Sequence, residues 1–437
     1  MVVARGRIDT ILLLPVVVLL AIGAGMVFSA SFVVAHNEFG DDTYFLVRHL
    51  LWITIGMGVL VVVSHMDYHR WQRLAVPFYA VSLALLLLVL IPGIGSSAYG
   101  ASRWFTVGSI LSIQPSEIAK LAVVVYLGAW VTRVGTDINK FTFGTVPFAI
   151  ILGLSAGLVL VEPDLGTTVV LVLTAGSVFF ISGANVLHAL VGLMVIAVAG
   201  VKVIASSAYK SDRIDAFVNP WADPNGVGWH TTQSLLALGS GGLTGLGLGA
   251  SRQKYYYVPN AHTDSIFAIV GEEIGFLGTT LVLVLFLIIV WRGLTIAGAS
   301  RDPLGRALAA GATLMLAWQA MLNMAVVSHV VPNTGVPLPF VSYGGNAMVV
   351  SMAAVGIILS VGRSLSPSVL SWRSWLPQLG RIGSRADRAT PTTSARPARD
   401  TRPTARGRTV PVTGRAALAQ VRGSVRPRTR RRPLPSR

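Results

Sequence analysis

Long apolar runs separated by short polar turns occupy the chain from about residue 11 to residue 363. A helix that crosses the hydrocarbon core of a bilayer needs about 20 mostly apolar residues. The pattern predicts ten such helices, at 11–34, 46–64, 74–92, 116–134, 143–161, 167–183, 185–205, 265–291, 306–331 and 343–363. The expected fold class is an all-α polytopic membrane protein. A long outer loop, about 206–263, joins the seventh and eighth helices. Only Glu162-Pro163-Asp164-Leu165-Gly166 separates the fifth from the sixth, and little more than Ser182-Gly183-Ala184-Asn185 the sixth from the seventh. Arg5 and Arg7 precede the first run, which is long for the core of a signal peptide and reads as a retained helix.

Composition agrees with this pattern. Of 437 residues, 53% are hydrophobic and 12% charged, against about 25% charged in soluble domains, which argues against a water-soluble enzyme. The absence of cysteine excludes disulfides, thiolate metal sites, iron–sulfur clusters and cysteine nucleophiles. The net charge of +17 is concentrated at one end: residues 363–437 hold 18 of the 35 basic residues, all arginine, and two acids, Asp387 and Asp400. The basic balance therefore describes a tail and does not point to nucleic acid. The expected organisation is a transmembrane domain, 1–363, and a disordered Arg/Pro-rich tail, 364–437. Trp372, Trp375, Leu376 and Leu379 with Arg373 and Arg381 read either as a short interfacial helix or as a solvated linker. Basic residues in short loops place both termini in the cytoplasm, with Arg5, Arg7, Arg70, Arg73, Arg133, Lys140, Arg292, Arg301 and Arg306 inside. The tail then meets anionic headgroups.

Polar residues inside a membrane body are costly and commonly mark function. Four clusters stand out, all on the expected outer side. In the first, Arg103-Trp104 precedes Gln114-Pro115-Ser116-Glu117 and Lys120. Pro115 suits a first helical turn, and Glu117 and Lys120 share a face. This is either an anion site or a cap with an internal ion pair. The second, Glu162 to Gly166, is an ordinary turn or a source of oxygen ligands for a divalent cation. The third is the long loop, with Gln233-Ser234, a glycine run at 239–249, and Pro259-Asn260-Ala261-His262-Thr263-Asp264 entering the eighth helix, where Glu272 and Glu273 lie about two turns deeper. No strand precedes the glycines and no Gly-Lys-Ser/Thr ends them, so they do not form a nucleotide loop. Asp264 is either a helix cap or a carboxylate whose pKa rises in apolar surroundings and serves as general base. The fourth, Pro332 to Gly345, interrupts an apolar stretch with three prolines and reads as a re-entrant segment lining a cavity, or as a surface loop. A transporter is expected to place its site near the midplane, between repeats. Clustering toward one face favours an enzyme acting on a lipid-tailed substrate.

These clusters resemble the SEDS family, the shape, elongation, division and sporulation proteins. The likeness covers about residues 10–363 and rests on the shared order of Arg103-Trp104, Gln114 to Glu117 with Lys120, Glu162 to Gly166, Gly239-Ser240-Gly241-Gly242, His262-Thr263-Asp264, Glu272-Glu273-Ile274-Gly275, Pro337-Leu338-Pro339 and Ser342-Tyr343-Gly344-Gly345. The resemblance implies a peptidoglycan glycosyltransferase that polymerises lipid II, releasing undecaprenyl diphosphate, at the outer face of the cell membrane. It implies a class B penicillin-binding protein and other division proteins as partners. Ala250 to Lys254 followed by Pro259 to Asp264 is more similar to the septal, FtsW-type branch than to the RodA-type elongation branch. A lipid II flippase is the alternative. The family pattern marks Asp264 as catalytic. Arg103, Lys120, Glu117, Gln233, Ser234, His262 and Ser342 are expected to bind substrate. A divalent cation, magnesium or manganese, has Glu117 and Asp164 as its candidate ligands. The chain departs from the pattern at Asn260, where Glu is frequent, at Ser265, where Phe is usual, and at Asn346 and Ala347, where small hydroxyl residues are common.

Overall fold

The computed structural model describes residues 8–93, 95–98, 101–107, 111–185, 187, 188, 192 and 216–365. Most of the expected seventh helix, 185–205, and all of the tail beyond residue 365 lie outside the described residues. The described chain is largely helical: α1 (Thr10–Phe39), α2 (Tyr44–His65), α3 (Arg70–Val89), α4 (Pro115–Val134), α5 (Val146–Val161), α6 (Leu165–Ile181), α7 (Trp229–Ser240), α8 (Ile266–Ala299), α9 (Pro303–Val327) and α10 (Gly345–Arg363). Among the described residues, eight helical segments are long and apolar enough to cross a membrane, and α6, at 17 residues, is a shorter apolar helix.

Local chemistry sets the helix ends. The Asp9 carboxylate accepts from Leu12 N–H and caps α1, while Gly40 closes it with a left-handed φ of 68°. Asp302 caps α9 ahead of Pro303, and Asp164 caps α6 through Thr167 N–H. Pro115 begins α4 as its position predicts.

Two features depart from the sequence reading. The segment before α4 contains a three-stranded antiparallel sheet, β1 (Ser96–Ala98), β2 (Ala101–Val107) and β3 (Leu111–Ile113). β1 and β3 have three residues each, and the seven of β2, Ala-Ser-Arg-Trp-Phe-Thr-Val, do not alternate apolar with polar. The expected eighth span continues to Ala299 as α8, with 34 residues and non-helical backbone at Gly275.

Helix α10 lies against α2, α3 against α4, and α9 against α4, α6, α8 and α10. Buried Val124, Leu308, Ala312, Leu316, Val355 and Ile358 lie within the shared core. Contacts distinguish the two ends of this bundle. At one, Arg292 on α8 meets Asp9 at 2.7 Å, both buried, and Arg363 donates to Ser64 O. The other end gathers the sheet, the α5–α6 turn, α7, the start of α8 and the 328–344 loop.

Candidate functional site

Asp264 lies in the turn that leads into α8. Asn260 adopts a positive φ of 53°, which asparagine tolerates better than the glutamate frequent in the family pattern. Its carbonyl receives Thr263 N–H at 2.9 Å. Thr263 Oγ1 donates to Asp264 Oδ1 at 3.1 Å. The Asp264 carbonyl accepts from Asn323 Nδ2 at 2.7 Å, and the same amide nitrogen donates to Val336 O at 2.7 Å. One side chain of α9 thus ties the Asp264 turn to the 328–344 loop. The Asp264 carboxylate itself is only half-buried.

That loop is inserted among helices, as a re-entrant segment requires. Val336, Leu338, Phe340 and Val341 are buried. Gln319, one turn from Asn323 on α9, donates to Pro337 O. Ser342 Oγ accepts from Leu338 N–H at 2.8 Å. Gly23 and Gly166 give the loop room: a Cβ at Gly23 lies 2.6 Å from Phe340 O, and one at Gly166 lies 2.5 Å from Thr334 O.

The other expected binding residues divide into those that face the site and those that hold its frame. The His262 ring lies 4.5 Å from Phe45 and 5.6 Å from Tyr343, and burial pushes its pKa down to about 4, so it is a neutral wall. Arg103 donates to Glu162 O at 2.9 Å and to Pro163 O at 2.6 Å, so strand β2 grips the α5–α6 turn. Lys120 is buried and donates to Glu117 Oε1 at 2.8 Å and Gln319 Oε1 at 2.7 Å. Glu117 and Lys120 thus form a buried internal ion pair. Ser234 is buried and bonded to His230 O, and Gln233 lies half-buried beside it. Ser342 is buried as well, with its hydroxyl committed to the loop backbone.

The expected cation ligands do not form a donor set. Glu117 Oε1 accepts from Lys120 while its buried Oε2 has no partner among the described residues, and Asp164 caps α6 while accepting from Gln114 at 3.3 Å. Among the described residues no group of three His, Asp or Glu side chains converges on a metal position.

The sequence reading passed over three contributors, Gln319, Asn323 and His230, and did not anticipate the burial of Lys254 and Glu162. Gln319 and Asn323 are polar residues i and i+4 on an otherwise apolar helix, and that spacing is a usable signal. His230 Nε2 lies 3.0 Å from Ser265 Oγ and its Nδ1 lies 3.2 Å from Asn333 Nδ2. The serine that departs from the family pattern thus has a specific partner. Lys254, in the long outer loop, is buried against Glu273 at 3.1 Å. Glu162 is buried with both carboxyl oxygens unpartnered among the described residues. Burial, and then the Asp164 charge, push its pKa up to about 8, with Arg103 opposing.

Comparison with known proteins fits this arrangement. A family model described as a cell cycle protein, grouping FtsW, RodA and SpoVE, matches residues 10–366. A probable peptidoglycan glycosyltransferase FtsW from Trichlorobacter lovleyi is 41% identical over 363 residues, covering 83% of this chain and 95% of that protein. Stage V sporulation protein E from Bacillus subtilis is 41% identical over 356 residues, covering 81% and 97%. Among solved structures, the Thermus thermophilus rod shape determining protein RodA superposes with a TM-score of 0.61 at 27% identity, covering 82% of this chain and 97% of that one. A chain from a structure on the coordination of polymerization and crosslinking by a peptidoglycan synthase complex gives 0.66 at 27% identity, covering 82% and 98%.

Proposed function

The chain belongs to the cell cycle protein family of FtsW, RodA and SpoVE, and from that premise we propose that it is a peptidoglycan glycosyltransferase of FtsW type. It extends glycan strands from lipid II at the outer face of the cell membrane, for septal wall synthesis. Relatives named peptidoglycan glycosyltransferase at about 40% identity support the reaction class. The RodA-type elongation role is the close alternative, since solved RodA shares the fold.

The reaction joins the 4-hydroxyl of an N-acetylglucosamine to the anomeric carbon of a lipid-linked sugar, and undecaprenyl diphosphate departs. An α-linked donor giving a β-1,4 bond requires inversion. The step therefore needs a base for the hydroxyl and positive charge for the diphosphate, with no covalent enzyme intermediate. Asp264 is assigned as the base: it is the half-buried carboxylate at the end of the bundle where the re-entrant loop, the α5–α6 turn and α7 converge. That placement carries the proposal. Asn323 fixes its backbone and Thr263 orients one oxygen. Arg103 is assigned to the diphosphate, because two donors hold the turn and the guanidinium fork carries five. Lys120, paired with Glu117, ties α4 to Gln319 of α9.

The partner is a penicillin-binding protein of class B that crosslinks the new strand. The solved synthase complex, whose description pairs polymerization with crosslinking, supports this. The flippase reading predicts a midplane site, whereas the candidate residues gather at one end. Asp264→Asn in purified protein with its partner is expected to lower glycan synthesis from lipid II by about 10²–10⁴-fold. Polymerisation near the wild-type rate by a folded variant removes the assigned base. Lipid II transfer across liposomes without polymer supports the flippase instead.

A further inference from the structure

A cavity of about 280 Å³ opens beside the Asp264 turn, between α7, the helical turn at 216–218, the end of α9 and the 329–333 segment. It is lined by Phe217, His230, Thr231, Ser234, His329 and Asn333, with small apolar side chains completing the wall. None of its lining residues is Lys, Arg, Asp or Glu. The Phe217 and His329 rings, 5.0 Å apart and inclined at 58°, form an aromatic corner.

The cavity shares two walls with the Asp264 turn. His230 reaches Ser265, the residue after Asp264, at 3.0 Å. Asn333 Oδ1 accepts from Gly335 N–H at 3.1 Å, and a Cβ at Gly335 would lie 3.7 Å from Asp264 Oδ2. The cavity therefore abuts the Asp264 turn on two sides.

The lining selects its occupant by chemistry. A diphosphate demands fixed cations, and a peptide stem carries ionised carboxylates that a lining without Lys or Arg would have to desolvate. An acetamido sugar ring is uncharged. Its C–H face suits an aromatic corner, and its hydroxyls and amide suit Thr231 and Asn333. The volume lies just below the range of about 300–1,000 Å³ typical of ligand sites, so it takes one ring and not a disaccharide. We propose that this cavity is the subsite for the uncharged N-acetylglucosamine ring whose 4-hydroxyl Asp264 activates. The identity of that ring rests on the glycosyltransferase reading above.

The test uses the full-length protein in detergent and methyl β-N-acetylglucosaminide as probe, read by saturation-transfer NMR, with methyl β-glucoside as comparison. Transfer to the acetamido methyl is expected in the wild type and in Asp264→Asn alike. It is expected to vanish in Thr231→Phe, which fills the cavity, and to weaken about fivefold in Phe217→Leu, which removes the aromatic contact with little change in bulk. In polymerisation assays Phe217→Leu raises KM for lipid II and leaves kcat nearly unchanged. Equal transfer in the wild type and both cavity variants, or equal transfer to the glucoside, overturns the subsite. Because binding is read without turnover, a polymerising Asp264→Asn would unseat the base while leaving this result to stand or fall separately.

Discussion

Glu162 is a buried carboxyl group with no partner for either oxygen among the described residues, beside the charged Asp164. Its proton is retained in the folded chain up to about pH 8, while the unfolded chain releases it near pH 4.5. Folding therefore takes up a proton across that window, and stability falls as pH rises through it, by a few kcal/mol in all. Thermal unfolding against pH is expected to show this decline in the wild type and a flatter profile in Glu162→Gln. An unchanged slope in the variant would place the proton on another group. The His262 ring acts in the opposite sense. With a folded pKa of about 4 against 6.5, it sheds its proton on folding, so stability falls as pH drops below 6.5. Replacement by Asn is expected to flatten that acid limb.

The element that organises the outer loop is the broken helix α8. At Gly275 the helix gives way, with φ 75°, and the glycine run enters the gap. Leu246 and Gly247 N–H donate to the Glu272 and Glu273 carbonyls, and Phe276 and Leu277 N–H donate to Gly242 and Leu243. A Cβ at Gly245 would lie 2.1 Å from Glu273 O, so only glycine permits the approach. The two glutamates then clamp the loop that follows. Glu272 accepts from Arg252 N–H and from the Ser251 hydroxyl. Glu273 accepts from Ser29, Gly249 N–H and Lys254. Lys254 is fully enclosed, 4.8 Å above the Phe32 ring. Removing one member of a buried ion pair strands the other charge. Lys254→Met is therefore expected to cost about 3–5 kcal/mol in denaturation. Adding Glu273→Gln should recover part of that loss, and strict additivity of the two would argue against coupling.

At the scale of the whole molecule, the bundle has two chemically distinct ends. Asp9–Arg292 and the Arg363–Ser64 contact mark one. Asp264, Glu162 and the re-entrant loop mark the other. Reading the second as extracytoplasmic gives a direct topological test, because the chain has no cysteine to interfere. Glu38 and Lys140 are exposed at opposite ends. In intact cells a membrane-impermeant maleimide is expected to label Glu38→Cys and to spare Lys140→Cys until the membrane is permeabilised. The reverse pattern would invert the orientation and detach Asp264 from an extracytoplasmic substrate.

The sequence by itself determined the membrane class, the approximate position of every described membrane helix, Pro115 in the first turn of α4, and the neighbourhoods where polar chemistry collects. These depend on span length, turn residues and order along the chain, which act over a few residues. The pairing of Lys120 with Glu117, the grip of Arg103 on the 162–163 turn and the bond between Ser342 and its own loop were decided by tertiary structure. So were the burial of Lys254 and the link between Ser29 and Glu273, 244 residues apart. A polar side chain takes whichever partner packing brings within about 3 Å. Packing between distant helices leaves no periodic trace in either one.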